Sequence, residues 1–383
     1  MTDLRRSPWL PALFFLTVFA AVAILPVLPS LRAEHGLSDV QTAALLSVAT
    51  LATLLVALPL GWLGDRLGAR PLVVVGGVSL ALSCLLLAVA NSFALLLVAR
   101  ALFGISDGII WTLGLVVYAG PGRPAKAMGR AMAIGGVGQL AGPLVTGALA
   151  DTLGSWIAWL VIGVVASGVT LGFMRARDES PLPDAGRRLS PQTLLGDSRM
   201  VASLVLIVLS GLVGGIANLL APQQLDANGV SPTVIGAIFA AGALVWIITA
   251  GALGRVVERR SHAKLAACGC GVLALAWIVP TISLSTFGIA IFLLFSAGAR
   301  AGVNTVTYLL ARAGAIASGN GTGAAIGIVN VAFSGAALAG PLLVAVAITT
   351  DGARLPYAAV AALCLAVTIA IGSAKIADER RVI

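Results

Sequence analysis

Twelve stretches of about 20 residues or more are almost free of charge: 9–31, 40–62, 71–90, 93–118, 127–150, 155–174, 200–225, 231–254, 263–282, 286–311, 321–349 and 354–374. A helix rises about 1.5 Å per residue, so roughly 20 residues cross the hydrocarbon core of a bilayer. Lipid offers backbone groups no hydrogen bonds, which leaves helices or closed barrels as spanning structures. The alternation of apolar and polar residues that marks a membrane barrel is missing. The reading is therefore an all-α integral membrane protein with twelve transmembrane helices. Composition agrees: 59% of the 383 residues are hydrophobic and 10% are charged, against about a quarter charged in a soluble domain. The first stretch follows Arg5 and Arg6 but is long for a signal peptide, and eleven more follow it, so it is expected to stay as the first helix.

Net charge is +9, which in a soluble protein would suggest nucleic acid. Position gives a different answer. With both termini in the cytoplasm and the spans alternating, all but four of the 24 Lys and Arg residues fall on the cytoplasmic side. Arg32 and Arg354 lie on the other face, and Arg100 and Arg300 fall inside spans. That bias is the positive-inside rule, so both termini are expected in the cytoplasm of a cell inner membrane or plasma membrane. The partners expected are the lipid bilayer, a small-molecule substrate and protons, with no nucleic acid and a monomeric state.

Residues 175–199, RARDESPLPDAGRRLSPQTLLGDSR, are the only long polar stretch. They divide the chain into a six-helix bundle at 1–174, a cytoplasmic linker at 175–199 and a second six-helix bundle at 200–383. Ser190 and Pro191 fit a helix start; a flexible linker is the equal alternative. The halves repeat one another. LAGPL occurs at 140–144 and at 338–342, an offset of 198. GWLGDRLGAR at 61–70 matches GALGRVVERR at 251–260, offset 190, and GISDG at 104–108 matches GARAG at 298–302, offset 194. Ordered matches with slowly growing offsets indicate two copies of one unit. An even number of spans per copy makes the repeats parallel, related by an axis along the membrane normal.

Three motifs resemble the major facilitator superfamily. GWLGDRLGAR is similar to its loop signature after the second helix, with Gly61, Leu63, Asp65, Arg66, Gly68 and Arg70 in register. VARALFGIS (98–106) resembles the helix-4 signature through Arg100 and Gly104. GQLAGPLVTG (138–147) resembles the helix-5 signature of the twelve-span drug:proton antiporter branch, with Gly138, Gly142, Pro143 and Gly147. The resemblance implies a secondary transporter that works by alternating access. It also implies that Asp65 docks against the cytoplasmic end of helix 11 as a conformational latch; a solvated turn charge is the plain alternative. In the second copy, Arg255 stands where Asp65 would align. The family reads the helix-5 motif as a mark of antiport. Its second copy, with Gly340 and Pro341, fits a symmetric packing device instead, in which proline bends the helix and glycine admits a neighbour.

Charges inside the membrane point to function. An Asp or Arg at a helix centre costs about 2.5–3.5 kcal/mol on insertion scales. Of the 15 acidic residues, only Asp107 falls near a helix midpoint. Arg100, Gly104, Asp107 and Trp111 share one helical face. Arg300, Asn304 and Thr307 form a similar stripe on helix 10, with Tyr308 adjoining. Gln139 and Thr146 on helix 5, and Asn330 and Ser334 on helix 11, form thinner ones. Symmetry between the halves predicts that Asp107 and Arg300 meet near mid-membrane. Asp107 is expected to lie on a substrate or proton pathway, with a structural ion pair to Arg100 or Arg300 as the alternative.

Other chemistries lack their residues. There is no Walker-type phosphate loop, His35 and His262 are expected in distant loops, and no cofactor or metal site is expected. Cys84, Cys268, Cys270 and Cys364 read as packing residues inside helices. The expected activity is proton-coupled export of small apolar or amphipathic organic compounds. The alternative is a uniporter or importer of a small anionic metabolite, with Arg100 and Arg300 as anion clamps.

Overall fold

A computed structural model describes residues 8–114, 117–118, 124–175, 194–256, 262–319, 322–351 and 354–373. Among them are twelve helices long and apolar enough to cross a membrane. They are α1 (Trp9–His35), α2 (Asp39–Leu67), α3 (Ala69–Val89), α4 (Phe93–Ile109), α5 (Pro124–Leu153), α6 (Ser155–Arg175), α7 (Ser198–Ala227), α8 (Pro232–Val256), α9 (His262–Ile282), α10 (Thr286–Ala317), α11 (Thr322–Asp351) and α12 (Arg354–Ser373). No strand occurs among the described residues.

The connections are short because the helix ends are closed locally. Gly36 ends α1 in the left-handed region at φ 59°, where only glycine is free of a Cβ penalty. Ser38 then opens α2 with a reciprocal capping box to Gln41, and Arg32 bridges to Asp39 at 2.7 Å across the turn. Ser92 and Ser285 cap α4 and α10 one-sidedly, each hydroxyl accepting a backbone N–H three residues on, from Leu95 and Gly288. The histidines expected in loops instead sit at helix ends. His35 closes α1, with its ring nitrogens 3.1 Å from the carbonyls of Leu31 and Ala90, and His262 opens α9.

The signature at 61–70 is a loop in the sequence reading. In the structure α2 runs on through Leu67, and Gly68 alone separates it from α3. Gly68 takes φ 81°, a turn that a side chain would resist. Apolar patterning marks where lipid ends, whereas a helix continues as long as its backbone bonds do, so α2 outlasts its apolar stretch. Arg70, in the first turn of α3, donates to the Met174 carbonyl at 2.8 Å and so closes the end of α6. The surroundings of Gly61 and the side chain of Asp65 lie outside the described residues, as does the helix start expected at Ser190 and Pro191.

The chain forms two compact units. The first contains α1–α6 and Gly229–Ala240; the second contains α7, α8 from Ala241 onward, and α9–α12. In the first unit α1 packs on α5, α3 on α6, and α4 on α2 and α3. In the second, α7 packs on α11, α9 on α12, and α10 on α7 and α9. In the first unit the core gathers around Ile24, Leu28, Leu45 and Trp159. In the second unit Trp277, Phe292 and Tyr357 also meet with ring centroids 4.8–5.7 Å apart. Large apolar side chains such as Val89, Leu275, Ile282 and Phe287 remain exposed, as suits a surface whose solvent is lipid. Cys84, Cys270 and Cys364 are buried packing residues, but Cys268 is exposed.

The LAGPL motifs sit in two continuous helices, α5 and α11, each running through its proline. Their glycines set close packing. A Cβ at Gly138 or Gly142 would meet the backbone carbonyl of Phe15 or Phe19 in α1, and one at Gly340 would meet that of Leu212 in α7. Gly147 has a different neighbour, the Pro232 carbonyl at the start of α8, and Gly236 of α8 in turn faces the Pro143 carbonyl. Asp151 completes this contact by accepting the Thr233 backbone N–H at 2.9 Å. The first turns of α8 are thus part of the first unit.

Candidate functional site

In the first unit the charged stripe of α4 lies against α2. Gly104 makes this approach possible, because a Cβ there would overlap the Ala49 carbonyl. Arg100 is buried, 4% exposed. Its Nε donates to the Leu45 carbonyl at 3.4 Å, and its guanidinium lies over the Phe103 ring at 4.8 Å. Nη1 has no hydrogen-bond partner. Two turns along α4, the Asp107 Oδ2 atom lies 3.4 Å from the Thr53 hydroxyl of α2. That hydroxyl is also 3.0 Å from the Gly104 carbonyl and 3.1 Å from the Ala49 carbonyl. One hydroxyl carries one proton, so it cannot donate to all three oxygens at once. It donates to one of them at a time, and Asp107 Oδ2 is among the acceptors within its reach.

Immediately beyond Asp107 the backbone widens into a π-helical turn, Ile110–Gly114. Such turns interrupt the regular ladder and are frequent at functional sites. Trp111 lies in this turn, half-buried, with its ring 5.1 Å from Phe14. Gln139 is half-buried on α5, and the buried Thr146 hydroxyl has no partner.

In the second unit the stripe of α10 lies beside α7 and α8. The Arg300 guanidinium sits 5.5 Å from the Trp246 ring centroid. Its Nε has no partner, nor has the Oδ1 of Asn304 one turn on. Within its own unit Arg300 meets no carboxylate among the described residues. Asn330 accepts from the Tyr308 hydroxyl at 2.9 Å and is exposed. The structure therefore brings together Arg100, Gly104 and Asp107 in one unit, and Arg300 with Asn304 in the other.

Sequence reasoning missed Thr53 and Trp246. Neither stands out in an apolar helix; only the packing register shows that Thr53 faces Asp107 and Trp246 faces Arg300. A groove of about 410 Å³ between α9 and α12, lined by Gly271, Leu275, Ile278 and Leu365 among others, is walled by apolar groups and has nothing to orient a substrate.

The family model of the Major Facilitator Superfamily matches residues 12–313. The chain belongs to this superfamily. Its members are transporters rather than enzymes, and the twelve long apolar helices make this major facilitator protein a multi-pass membrane protein. The inner membrane transport protein YnfM of Escherichia coli K12 is 28% identical over 43% of this chain and 40% of its own length. The quinolone resistance protein NorA of Staphylococcus aureus MRSA252 is 27% identical over 36% of each chain. The chain spans less than half the length of the curated relatives it matches. Among solved structures, a D-xylose–proton symporter superposes with a TM-score of 0.77 over 95% of this chain and 96% of its own, at 15% identity. That likeness establishes the major facilitator fold, with its two six-helix repeats.

Proposed function

We propose that this transporter exports small apolar or amphipathic organic compounds in exchange for protons, with Asp107 as the proton carrier. The observation that carries the reading is the surroundings of Asp107. It is a carboxyl group inside a membrane helix, two turns from Arg100, with the Thr53 hydroxyl 3.4 Å away. Access of water and the position of neighbouring charge are the two influences that set when a membrane carboxyl holds its proton. A helix movement that alters either influence takes up or releases a proton, and that ties proton flow to the transport cycle. Intramembrane ionisable groups mark pathways in this way. The name of the relative NorA, a resistance protein, supports export, and the mostly apolar helix faces suit amphipathic ligands.

The test is transport in liposomes with and without an imposed pH gradient. Asp107→Asn is expected to abolish gradient-driven accumulation while sparing substrate binding. A variant that still concentrates substrate in response to the gradient would place coupling elsewhere. One observation favours a second reading, uniport or import of a small anionic metabolite: Arg300 has no carboxylate partner in its own unit. Under that reading Asp107→Asn leaves transport intact. We also propose that both termini are cytoplasmic, on the strength of the basic residues. A reporter active only outside the cytoplasm, fused after Ile383, is expected to stay silent.

A further inference from the structure

We infer that the second unit contains its own binding site for an organic anion with a flat apolar body, built from Arg300, Trp246, Asn304 and Ser210. This rests on the reading of the chain as a transporter of small amphipathic molecules and narrows their class to those bearing an acidic group.

The site begins with an unbalanced charge. Arg300 lies inside α10, yet no acid in its unit neutralises it among the described residues, and its Nε–H has no acceptor. A guanidinium held in the membrane without a counter-charge is costly, and such groups pair with something. Trp246 supplies its electron-rich face to the cation at 5.5 Å, which compensates in part and leaves the hydrogen-bond donor unused.

The arginine occupies a prepared place. At Gly214 of α7, a Cβ would run into the guanidinium nitrogens of Arg300. The neighbouring glycines Gly211 and Gly215 face α11, so Gly214 is the small residue turned toward α10. The contacts also fix how α7 and α10 run past each other. Met200 of α7 lies against Gly314 of α10, and Gly214 against Arg300. The helices are antiparallel, and this register puts Ser210 level with Asn304, one turn from the Gly214–Arg300 level. Ser210 is fully buried, and its hydroxyl has no partner; neither has the Asn304 Oδ1.

Three unsatisfied polar groups on neighbouring turns of two helices are more than buried structure tolerates by default. Their chemistry is complementary to one kind of ligand. The Arg300 Nε–H and the Ser210 hydroxyl donate to a carboxylate. Asn304 Oδ1 accepts from a hydroxyl or amide N–H beside the acid. The Trp246 ring offers a flat apolar face to the body of the molecule.

Equilibrium binding to the full-length protein, purified in detergent without a pH gradient, tests this. The probes are 2-naphthoate, the neutral 2-naphthalenemethanol and the cationic 2-naphthylmethylammonium. Naphthoate is expected to bind at least roughly tenfold more tightly than either analogue, as a charge-assisted bond to a buried guanidinium implies. Arg300→Gln removes that preference, while Arg300→Lys retains part of it. Gly214→Ala keeps the arginine but displaces it, and so also removes the preference; it carries the test if Arg300→Gln does not yield monodisperse protein. Trp246→Leu weakens naphthoate and the alcohol alike. Equal binding of all three probes, or an Arg300→Gln protein that still prefers the anion, overturns the proposal. Displacement of naphthoate by inorganic phosphate at comparable concentration also overturns it, since the site would then recognise an anion alone. Binding is read without a gradient, so its failure is separate from failure of the proton-coupled reading, which is measured in liposomes.

Discussion

Helix α1 has no glycine and packs against Gly138 and Gly142 of α5; its counterpart α7 carries Gly211 and Gly215 and packs against the backbone of Phe333 and Ala337 in α11. The two repeats thus preserve the helix pair while the residues that permit close approach lie mainly on opposite partners. The difference reaches the charged stripes. Because α7 has a further glycine turned toward α10, Arg300 settles against it. Helix α1 has no such space to offer and touches α4 only lightly. Arg100 turns instead to the Leu45 carbonyl of α2, and Thr53 of that same helix reaches Asp107. Small residues, more than the charged ones, decide which neighbour each intramembrane charge meets.

The largest effects expected from this comparison come from filling the close contacts. Gly142→Val in α5 and Gly215→Val in α7 each force a side chain onto a neighbouring carbonyl, and both are expected to prevent accumulation of monodisperse protein in detergent. Gly335→Ala and Gly327→Ala in α11, where a Cβ meets nothing within 4 Å, are expected to be silent. Normal yields of the two valine variants on size-exclusion chromatography would remove the basis for assigning the spacing to glycine.

The loop copies come next. If Asp65 is the latch that the family resemblance implies, Asp65→Asn leaves the protein folded but impairs transport. Accessibility of introduced cysteines from outside then falls, because the outward-open state loses support. Arg255→Gln, at the corresponding place in the second repeat, has the smaller effect on both readouts. Equal effects would mean that the repeats use these positions alike.

Thr53→Val is expected to be the mildest change. It keeps the shape and removes the hydroxyl beside Asp107, a loss of about 1 kcal/mol. Gradient-driven transport should slow by roughly fivefold on that scale, with thermal stability nearly unchanged. An unaltered rate would detach Thr53 from the proton path proposed for Asp107.

The spans were legible because lipid imposes one requirement on every residue of a stretch, and twenty apolar residues satisfy it visibly. Duplication was legible through LAGPL and its companions. The stripe from Arg100 to Asp107 followed from helical spacing alone. Contacts between helices were not legible, since they depend on register and rotation that no local pattern encodes: Thr53 and Trp246 lie in ordinary apolar surroundings in the sequence. The turn at Gly68 was misread as a longer loop because hydropathy ends where lipid ends, several residues before α2 does.

The seat of α8 on α5 has a consequence for biosynthesis. Gly147, Pro143 and Asp151 find their partners at Pro232, Gly236 and Thr233, more than eighty residues later in the chain. When the sixth helix leaves the ribosome, the first bundle is therefore unfinished. It must wait in the bilayer through the whole linker and α7 until the opening turns of α8 arrive. A gene cut in the linker would thus yield an N-terminal product lacking a piece of its own structure, while the missing piece travels with the other product.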